Sequence, residues 1–258
     1  MKNYVISLAT ATERRRHIIQ EFGQQGIDFE FFDAVTPTDT PSIGEQLGID
    51  LQNNQRLSVG EKACFLSHVS LWQKMLDDDI EYMAIFEDDV YLGEKADKFL
   101  HDDTWLSDIT FDIIKLETFF EKVALGKSIA TSLDRKLRSL NSPHMGAGGY
   151  LISTTGASKL MGYLTTLSAD KFVPIDHIIF EILKKPLNIY QVVPALCVQS
   201  MFFDKNQLPS SLEVYRQNNP KQNQVKLENA PVIDFAKIIR KLKRSIGKRT
   251  FFQQVVFR

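Results

Sequence analysis

Two cysteines in 258 residues exclude a disulfide-stapled scaffold. Cys64 and Cys197 stand in no CxxC or Cys/His spacing of the kind that holds structural zinc. Each lies in an apolar stretch and is expected to be a buried thiol that packs as a small hydrophobe, in a reducing compartment. No apolar run is long enough to cross a bilayer. The first residues, Met1 to Leu8, lack the long apolar core and small-residue cleavage site of a signal peptide. A cytoplasmic protein is expected. A surplus of charge is missing too: the formal net charge is -1, which gives no global field for nucleic acid. GxSxG, P-loop and GxGxxG signatures are absent, as is any internal repeat.

What is present suits an α/β domain. Tyr4 to Leu8 reads as a strand, Glu13 to Phe22 as a charged helix ended by Gly23 and Gly26, and Phe29 to Phe32 as a second strand. That spacing is a βαβ unit with parallel strands. Residues 36–58, rich in Thr, Pro, Ser, Asn and Gln, read as a surface loop with room for one short helix. Ser58 and Glu61 then have capping-box spacing at the start of a helix reaching about Asp77. Further strands are expected at Tyr82–Phe86, Phe111–Leu116, Tyr150–Ser153 and Tyr190–Val198, the last broken by Pro194, with helices near 155–164 and 176–183. The alternation predicts a mainly parallel twisted sheet flanked by helices. Ser128 to Leu140 is polar and basic and fits no element clearly.

The clearest strand, Tyr82–Phe86, runs straight into Glu87-Asp88-Asp89. Adjacent carboxylates at the end of a buried strand repel one another unless a cation sits among them. Mg2+ or Mn2+ would relieve that repulsion and favours oxygen ligands. In open α/β sheets the carboxyl ends of the strands border the ligand crevice. The competing reading is a solvated acidic turn, the natural description of Asp77-Asp78-Asp79. The difference lies in what precedes each: an amphipathic helix there, five apolar or aromatic residues here.

Other polar residues support two readings each. His68, on the helix after the loop, is a packed histidine or a ligand-facing one. Gly146, Gly148 and Gly149 either bend the chain into a strand or let backbone approach a ligand closely. Asp176 is a helix cap or a general base, and Glu117 an exposed strand terminus or a base on the same crevice. Near the end of the chain, Phe235, Ile238, Ile239, Leu242 and Ile246 recur at helical spacing among Lys237, Arg240, Lys241, Lys243 and Arg244. That basic amphipathic helix would lie on an anionic membrane or dock on its own domain. The chain accordingly divides into a catalytic domain, residues 1–225, and an extension, residues 226–258.

An ordered set of short segments resembles the family 25 glycosyltransferases, the lipooligosaccharide galactosyl- and glucosyltransferases of Gram-negative bacteria. Its members are Val5-Ile6-Ser7-Leu8 with Glu13-Arg14-Arg15, Phe32-Asp33-Ala34, Gly60 to Cys64 with Leu66-Ser67-His68 and Trp72, Phe86 to Val90, Lys115 to Thr118, Gly148 to Ser153, and Pro174-Ile175-Asp176. They span roughly residues 1 to 200. The resemblance implies a GT-A-like fold that takes a UDP-hexose, UDP-galactose or UDP-glucose, with Mn2+ or Mg2+. It places Glu87 and Asp89 on the metal, with Gln199 as a further candidate ligand because no histidine stands there. Ser7, Leu8, Arg14, Asp33, Ser67, His68 and Asp88 would bind the nucleotide-sugar, and Gly148 and Gly149 would shape the floor of the sugar site. Asp176, with Glu117 as the second candidate, would be the general base of an inverting transfer to a lipid-linked oligosaccharide, at the cytoplasmic face of the inner membrane. Residues 36–58 or 120–145 would move to cover the donor. The alternative is a nucleotide-sugar or glycan-binding protein without turnover.

Overall fold

The structure is a computed structural model that describes residues 1–132, 134–203 and 252–258. β1 (Lys2–Ser7), β2 (Glu30–Asp33) and the crossover helix α1 (Thr12–Gln24) form the expected parallel unit. α2 (Thr40–Gln46) lies within the polar stretch before α3 (Val59–Asp77). The α3 capping box is complete: Ser58 Oγ accepts from Glu61 N at 3.3 Å, and Glu61 Oε2 accepts from Ser58 N at 2.7 Å. β3 (Tyr82–Glu87), β4 (Val90–Leu92), α4 (Asp97–Leu100) and β5 (Ile113–Lys115) follow.

Period-two alternation along the central strands builds two cores, one on each face of the sheet. Tyr4, Ile6, Met83, Ile85, Ile113 and Ile152 pack with α3 and α5 (Thr154–Leu164). Val5, Ala84, Phe86, Ile114 and Leu151 pack with Ile18 and Phe22 of α1 and Phe99 and Leu100 of α4. Helices on both faces explain why these strands have no polar side. Each fully buried side chain of the size of Phe22 or Phe86 contributes about 1.5–3 kcal/mol relative to exposure.

The sheet is mixed, which corrects the expectation of a mainly parallel one. Its order is β11 (Phe252–Gln254), β6 (Lys122–Ser132), β7 (Arg135–Leu140), β9 (Ile189–Val193), β5, β8 (Gly149–Ser153), β3, β1, β2. Among the described strands, only β1 with β2, β1 with β3, and β5 with β9 pair in parallel. β8 (Gly149–Ser153) inserts between β3 and β5, antiparallel to both. The cause is the connection before β8. Residues 141–148 carry the chain back along the sheet from the end of β7 and deliver Gly149 opposite Phe86, at the end of β3, so β8 runs back against β3. The basic stretch that fitted no element is a long hairpin, β6 (Lys122–Ser132) and β7 (Arg135–Leu140).

Asn54 pins the stretch before α3. Its Nδ2 donates to Ala169 O (2.6 Å) and Phe172 O (2.9 Å), and its Oδ1 accepts from Arg56 N and Leu57 N. α6 (Ile175–His177) continues as a π-helical turn, Ile178–Ile182. β10 (Cys197–Gln199) pairs with β4, and α7 (Ser200–Phe203) follows. The basic amphipathic segment, 235–249, lies outside the described residues. Beyond it, β11 (Phe252–Gln254) pairs with β6, and Thr118 Oγ1 donates to Val255 O at 2.7 Å.

Candidate active site

β1 and β3 end side by side, and their parallel register sets Ile6 opposite Glu87. Glu87, Asp88 and Asp89 therefore leave the sheet next to Ser7 and the start of α1. Ser7 Oγ donates to Asp88 Oδ2 at 2.6 Å. Arg14, one turn into α1, bridges the two aspartates: its guanidinium lies 2.6 Å from Asp88 Oδ1 and 2.7 Å from Asp89 Oδ2. Arg15 fixes the turn before α1 through Ser7 O and Leu8 O, and pairs with Asp33 at the end of β2.

This is a strongly acidic pocket. Burial, then the neighbouring Glu87 charge, pushes the Asp89 carboxyl up to about 7 despite Arg14. Burial also raises Asp88. Burial works in the same direction on Glu87, but His68, Arg14 and Gln199 together outweigh it and hold that carboxyl below its ordinary value. Gln199 Nε2 donates to Glu87 Oε2 at 2.7 Å, which leaves its carbonyl oxygen as the atom available to an ion. Asp89 Oδ1 is buried without a hydrogen-bond partner among the described residues. Three carboxylates against one guanidinium, with an orphaned oxygen, suit a divalent cation held by Glu87 and Asp89. Cys64, His68 and Glu87 also bring one ligand atom each within 4.8 Å of one another.

Two cavities meet at Glu87 and Cys64. One, of about 200 Å3, is lined by Ser7, Leu8, Arg14, Ser67, Asp88 and Asp89. The other, of about 410 Å3, is lined by Phe119, Gly146, Asp176, His177 and Gln199. Asp33 lines a third recess, next to Leu8 and Thr36. Ser67 borders the smaller cavity, but its hydroxyl is spent on structure: it accepts from Val35 N at 2.9 Å and donates to Ala63 O at 2.8 Å. His68 is fully buried, with Nδ1 2.9 Å from the Tyr150 hydroxyl and Nε2 3.6 Å from Glu87 Oε1.

The glycine loop forms the wall between the sheet and the larger cavity. Gly146 has φ +89°, and a Cβ there would stand 2.7 Å from Glu117 Oε2. A Cβ on Gly148 would meet Glu117 Oε1 at 2.7 Å and Gln199 Nε2 at 2.8 Å. Asp176 Oδ2 accepts from Gly146 N at 3.0 Å and faces the larger cavity. Glu117 sits behind this loop, wholly buried; it accepts from Gly148 N (3.0 Å) and pairs with buried Lys115 (3.2 Å). Burial, the largest influence, pushes the Glu117 carboxyl up to about 8 against the pull of Lys115.

Ser7, Leu8, Arg14, Ser67, Glu87, Asp88, Asp89, Asp176 and Gln199 thus border the two joined cavities, whereas Asp33 lines the neighbouring recess and His68, Glu117, Gly148 and Gly149 lie behind the cavity walls. Two participants were not anticipated. Cys64 borders both cavities instead of filling core. Lys115 ties the loop from below, and its signal was available: a lysine in an apolar strand, two residues before Glu117, shares that residue's face.

The profile of glycosyltransferase family 25, described as an LPS biosynthesis protein, matches residues 1–179. The chain belongs to this family. It is 39% identical to the lipooligosaccharide biosynthesis protein lic2B of Haemophilus influenzae, over 98% of this chain and 97% of that protein. It is 37% identical to the lacto-N-neotetraose biosynthesis glycosyltransferase LgtE of Neisseria gonorrhoeae, over 96% and 90% of the two chains. It is 39% identical to LgtB of the same organism, over 86% and 84%. The family 25 chain is a glycosyltransferase with a GT-A-like α/β fold, and its Cys64, His68 and Glu87 group is consistent with metal assistance.

Proposed function

We propose that this family 25 enzyme transfers a hexose, galactose or glucose, from its UDP-linked form to a lipooligosaccharide core acceptor, in one inverting displacement. The observation that carries this reading is the pair of cavities joined at Glu87. One offers Arg14 and the carboxylates to a nucleotide diphosphate; the other offers Asp176 to an acceptor hydroxyl.

In this mechanism Ser7, Leu8 and Asp88 position the nucleotide, with Asp33 at the rim. Glu87 and Asp89, with the Gln199 carbonyl oxygen, would hold Mn2+ or Mg2+. The ion supplies Lewis-acid stabilisation of the departing diphosphate. Arg14 is placed to neutralise part of the same charge. Asp176 accepts the proton of the acceptor hydroxyl as that oxygen attacks the anomeric carbon, while the bond to UDP breaks on the opposite face. Gly146 and Ala147 border the larger cavity where the sugar would lie, and Gly148 and Gly149 shape it from behind by letting Glu117, Gln199 and Cys197 approach. Glu117, sealed behind the loop, holds Gly148 N–H in place.

The name of lic2B, a lipooligosaccharide biosynthesis protein, supports a lipooligosaccharide acceptor, and those of LgtE and LgtB, lacto-N-neotetraose biosynthesis glycosyltransferases, support an oligosaccharide one. The basic segment within 232–250 supports attachment to an anionic membrane surface, where a lipid-linked acceptor would be presented on the cytoplasmic side.

The test is UDP release from UDP-galactose and UDP-glucose, with and without a lipooligosaccharide acceptor. Asp176→Asn should keep donor binding and lose about 10²–10⁴-fold in turnover. Asp89→Asn should lose the response to Mn2+. Full turnover in either variant would remove the assigned role.

A further inference from the structure

The metal reading so far uses oxygen atoms alone, yet the ligand atoms that stand closest together are of three kinds. Cys64 Sγ lies 3.9 Å from Glu87 Oε1, and His68 Nε2 lies 3.6 Å from the same oxygen. Ligands around a tetrahedral zinc are spaced by roughly 3.3–3.8 Å, given its bond lengths to sulfur, nitrogen and oxygen. Cys64 Sγ and His68 Nε2 lie within 4.8 Å of each other, so modest side-chain shifts bring the three atoms to the positions that such an ion needs. Mg2+ and Mn2+ select oxygen, whereas thiolate and imidazole select zinc and its neighbours.

A second observation points the same way. His68 is fully buried, and its Nε2 has no hydrogen-bond partner among the described residues. A buried ring nitrogen without a partner is costly, and this one is aimed at Glu87. The other side of the ring is already organised. The Tyr150 hydroxyl lies 2.9 Å from His68 Nδ1 and accepts from Trp72 Nε1 at 2.9 Å. When His68 Nδ1–H also donates to the Tyr150 oxygen, the Nε2 lone pair faces the cluster. This is the outer support that a metal-binding histidine usually has.

We propose that Cys64, His68 and Glu87 form a site for one thiophilic divalent cation, of the zinc class, with an open fourth position toward the two cavities. Cys64 releases its thiol proton to solvent on binding and ligates as thiolate. Glu87 is common to this site and to the Glu87–Asp89 pair, so an ion here competes with the oxygen-bound ion. That consequence for sugar transfer rests on the function proposed above; the site itself does not.

Cobalt(II) tests the site without donor or acceptor. Binding through Cys64 produces a sulfur-to-cobalt charge-transfer band. The band should appear in the wild-type protein and in Cys197→Ala, and vanish in Cys64→Ala. Absence of the band in wild-type protein with cobalt bound, or its survival in Cys64→Ala, overturns the proposal. Thiol labelling needs no variant. Cys197 is fully buried and Cys64 borders the cavities, so labelling of the folded protein reports Cys64. Zn2+ should slow labelling where Mg2+ does not; equal rates would also overturn the site. Failure of either measurement leaves UDP release by the Mn2+-loaded enzyme unaffected, so it is separable from failure of the proposed function.

Discussion

Lys115 and Asp176 are joined through a single glycine. The Lys115 ammonium donates to Gly146 O at 2.5 Å, and Gly146 N donates to Asp176 Oδ2 at 3.0 Å. The ammonium is fully buried, lies 4.2 Å over the Phe180 ring and pairs with Glu117. The buried Lys115 ammonium thereby fixes, through the glycine loop, the carboxylate proposed as base.

Lys115→Met breaks that connection. Glu117, already raised to about 8, keeps its proton without Lys115, and the loss is that of the ammonium's buried hydrogen bonds, about 1–3 kcal/mol. The double variant Lys115→Met/Glu117→Gln replaces the protonated carboxyl with a neutral amide and should recover part of that stability. It should not recover turnover, since the Gly146 carbonyl still lacks its donor. We expect kcat to stay roughly ten-fold or more below wild type with KM for the UDP-sugar little changed. Recovery of kcat together with the melting temperature would show that Lys115 acts on stability alone.

Arg14→Gln tests the acidic pocket. It removes the one guanidinium that bridges Asp88 and Asp89. The three carboxylates then face one another with less compensation, and a cation should stabilise the protein more. The melting-temperature rise produced by Mn2+ should be larger in the variant than in wild type, while affinity for UDP falls. An unchanged Mn2+ response would separate Arg14 from the metal-binding carboxylates.

Gly148→Ala tests the wall. Its Cβ would fall within 2.8 Å of both Glu117 Oε1 and Gln199 Nε2. Overpacking of this kind costs about 1–3 kcal/mol. The displaced Gln199 also stops donating to Glu87. Thermal melts should show the stability loss, and UDP-release assays should show a larger fall in turnover than the fall in stability explains.

Much of this was legible in the chain, for identifiable reasons. The capping box of α3 and the βα unit of β1 and α1 depend on neighbours in sequence, and the structure contains both. Glu87-Asp88-Asp89 stood out because five apolar residues deliver it. The direction of β8 was not legible, since antiparallel entry depends on how residues 141–148 bridge two strands in space. Cys64 looked like core because its helix is apolar on most sides; only the packed fold shows that its face opens on two cavities. Ser67 shows the reverse. It borders the smaller cavity, yet its hydroxyl holds backbone.

His144 makes stability depend on pH. Its Nδ1 lies 2.8 Å from Gln191 Oε1, and its Nε2 accepts from Phe119 N at 3.4 Å. Gln191 Nε2 donates to three carbonyls, so Oε1 is the acceptor and the buried imidazole is neutral. Burial, then Lys115, lowers its pKa from 6.5 to about 3. A depressed pKa means that the unfolded chain takes up the proton first. The contribution is complete above about pH 6.5 and is lost as pH falls from there toward 3. Between pH 7 and 5 the loss is about 2 kcal/mol. The raised carboxyls of Asp89 and Glu117 shift stability the other way over this range, so the His144 contribution is read as a difference: from pH 7 to 5, urea unfolding should show wild type losing about 2 kcal/mol relative to His144→Gln.

The two parts of the chain's end are expected to separate on deletion. Residues 252–258 belong to the folded sheet: β11 pairs with β6, Val255 is fully buried, and Arg135 donates to Arg258 O at 2.5 Å. Arg135 also donates to Glu94 O, Pro194 O and Ala195 O, so it ties the terminal strand to the turn before β10. Thr118, next to Glu117, donates to Val255 O. Deleting 252–258 therefore removes a strand, a buried side chain, the acceptor of Thr118 directly after Glu117 behind the glycine loop, and one acceptor of Arg135. It should lower the melting temperature and lower turnover on a soluble acceptor. Replacing 232–250 with a Gly/Ser linker keeps that strand and removes the basic segment. This variant should keep its melting temperature and its activity on a soluble acceptor while losing co-sedimentation with anionic liposomes. Liposome binding that survives the replacement would remove the basic segment from the membrane proposal, and unaltered stability without 252–258 would mean that β11 contributes nothing to the sheet.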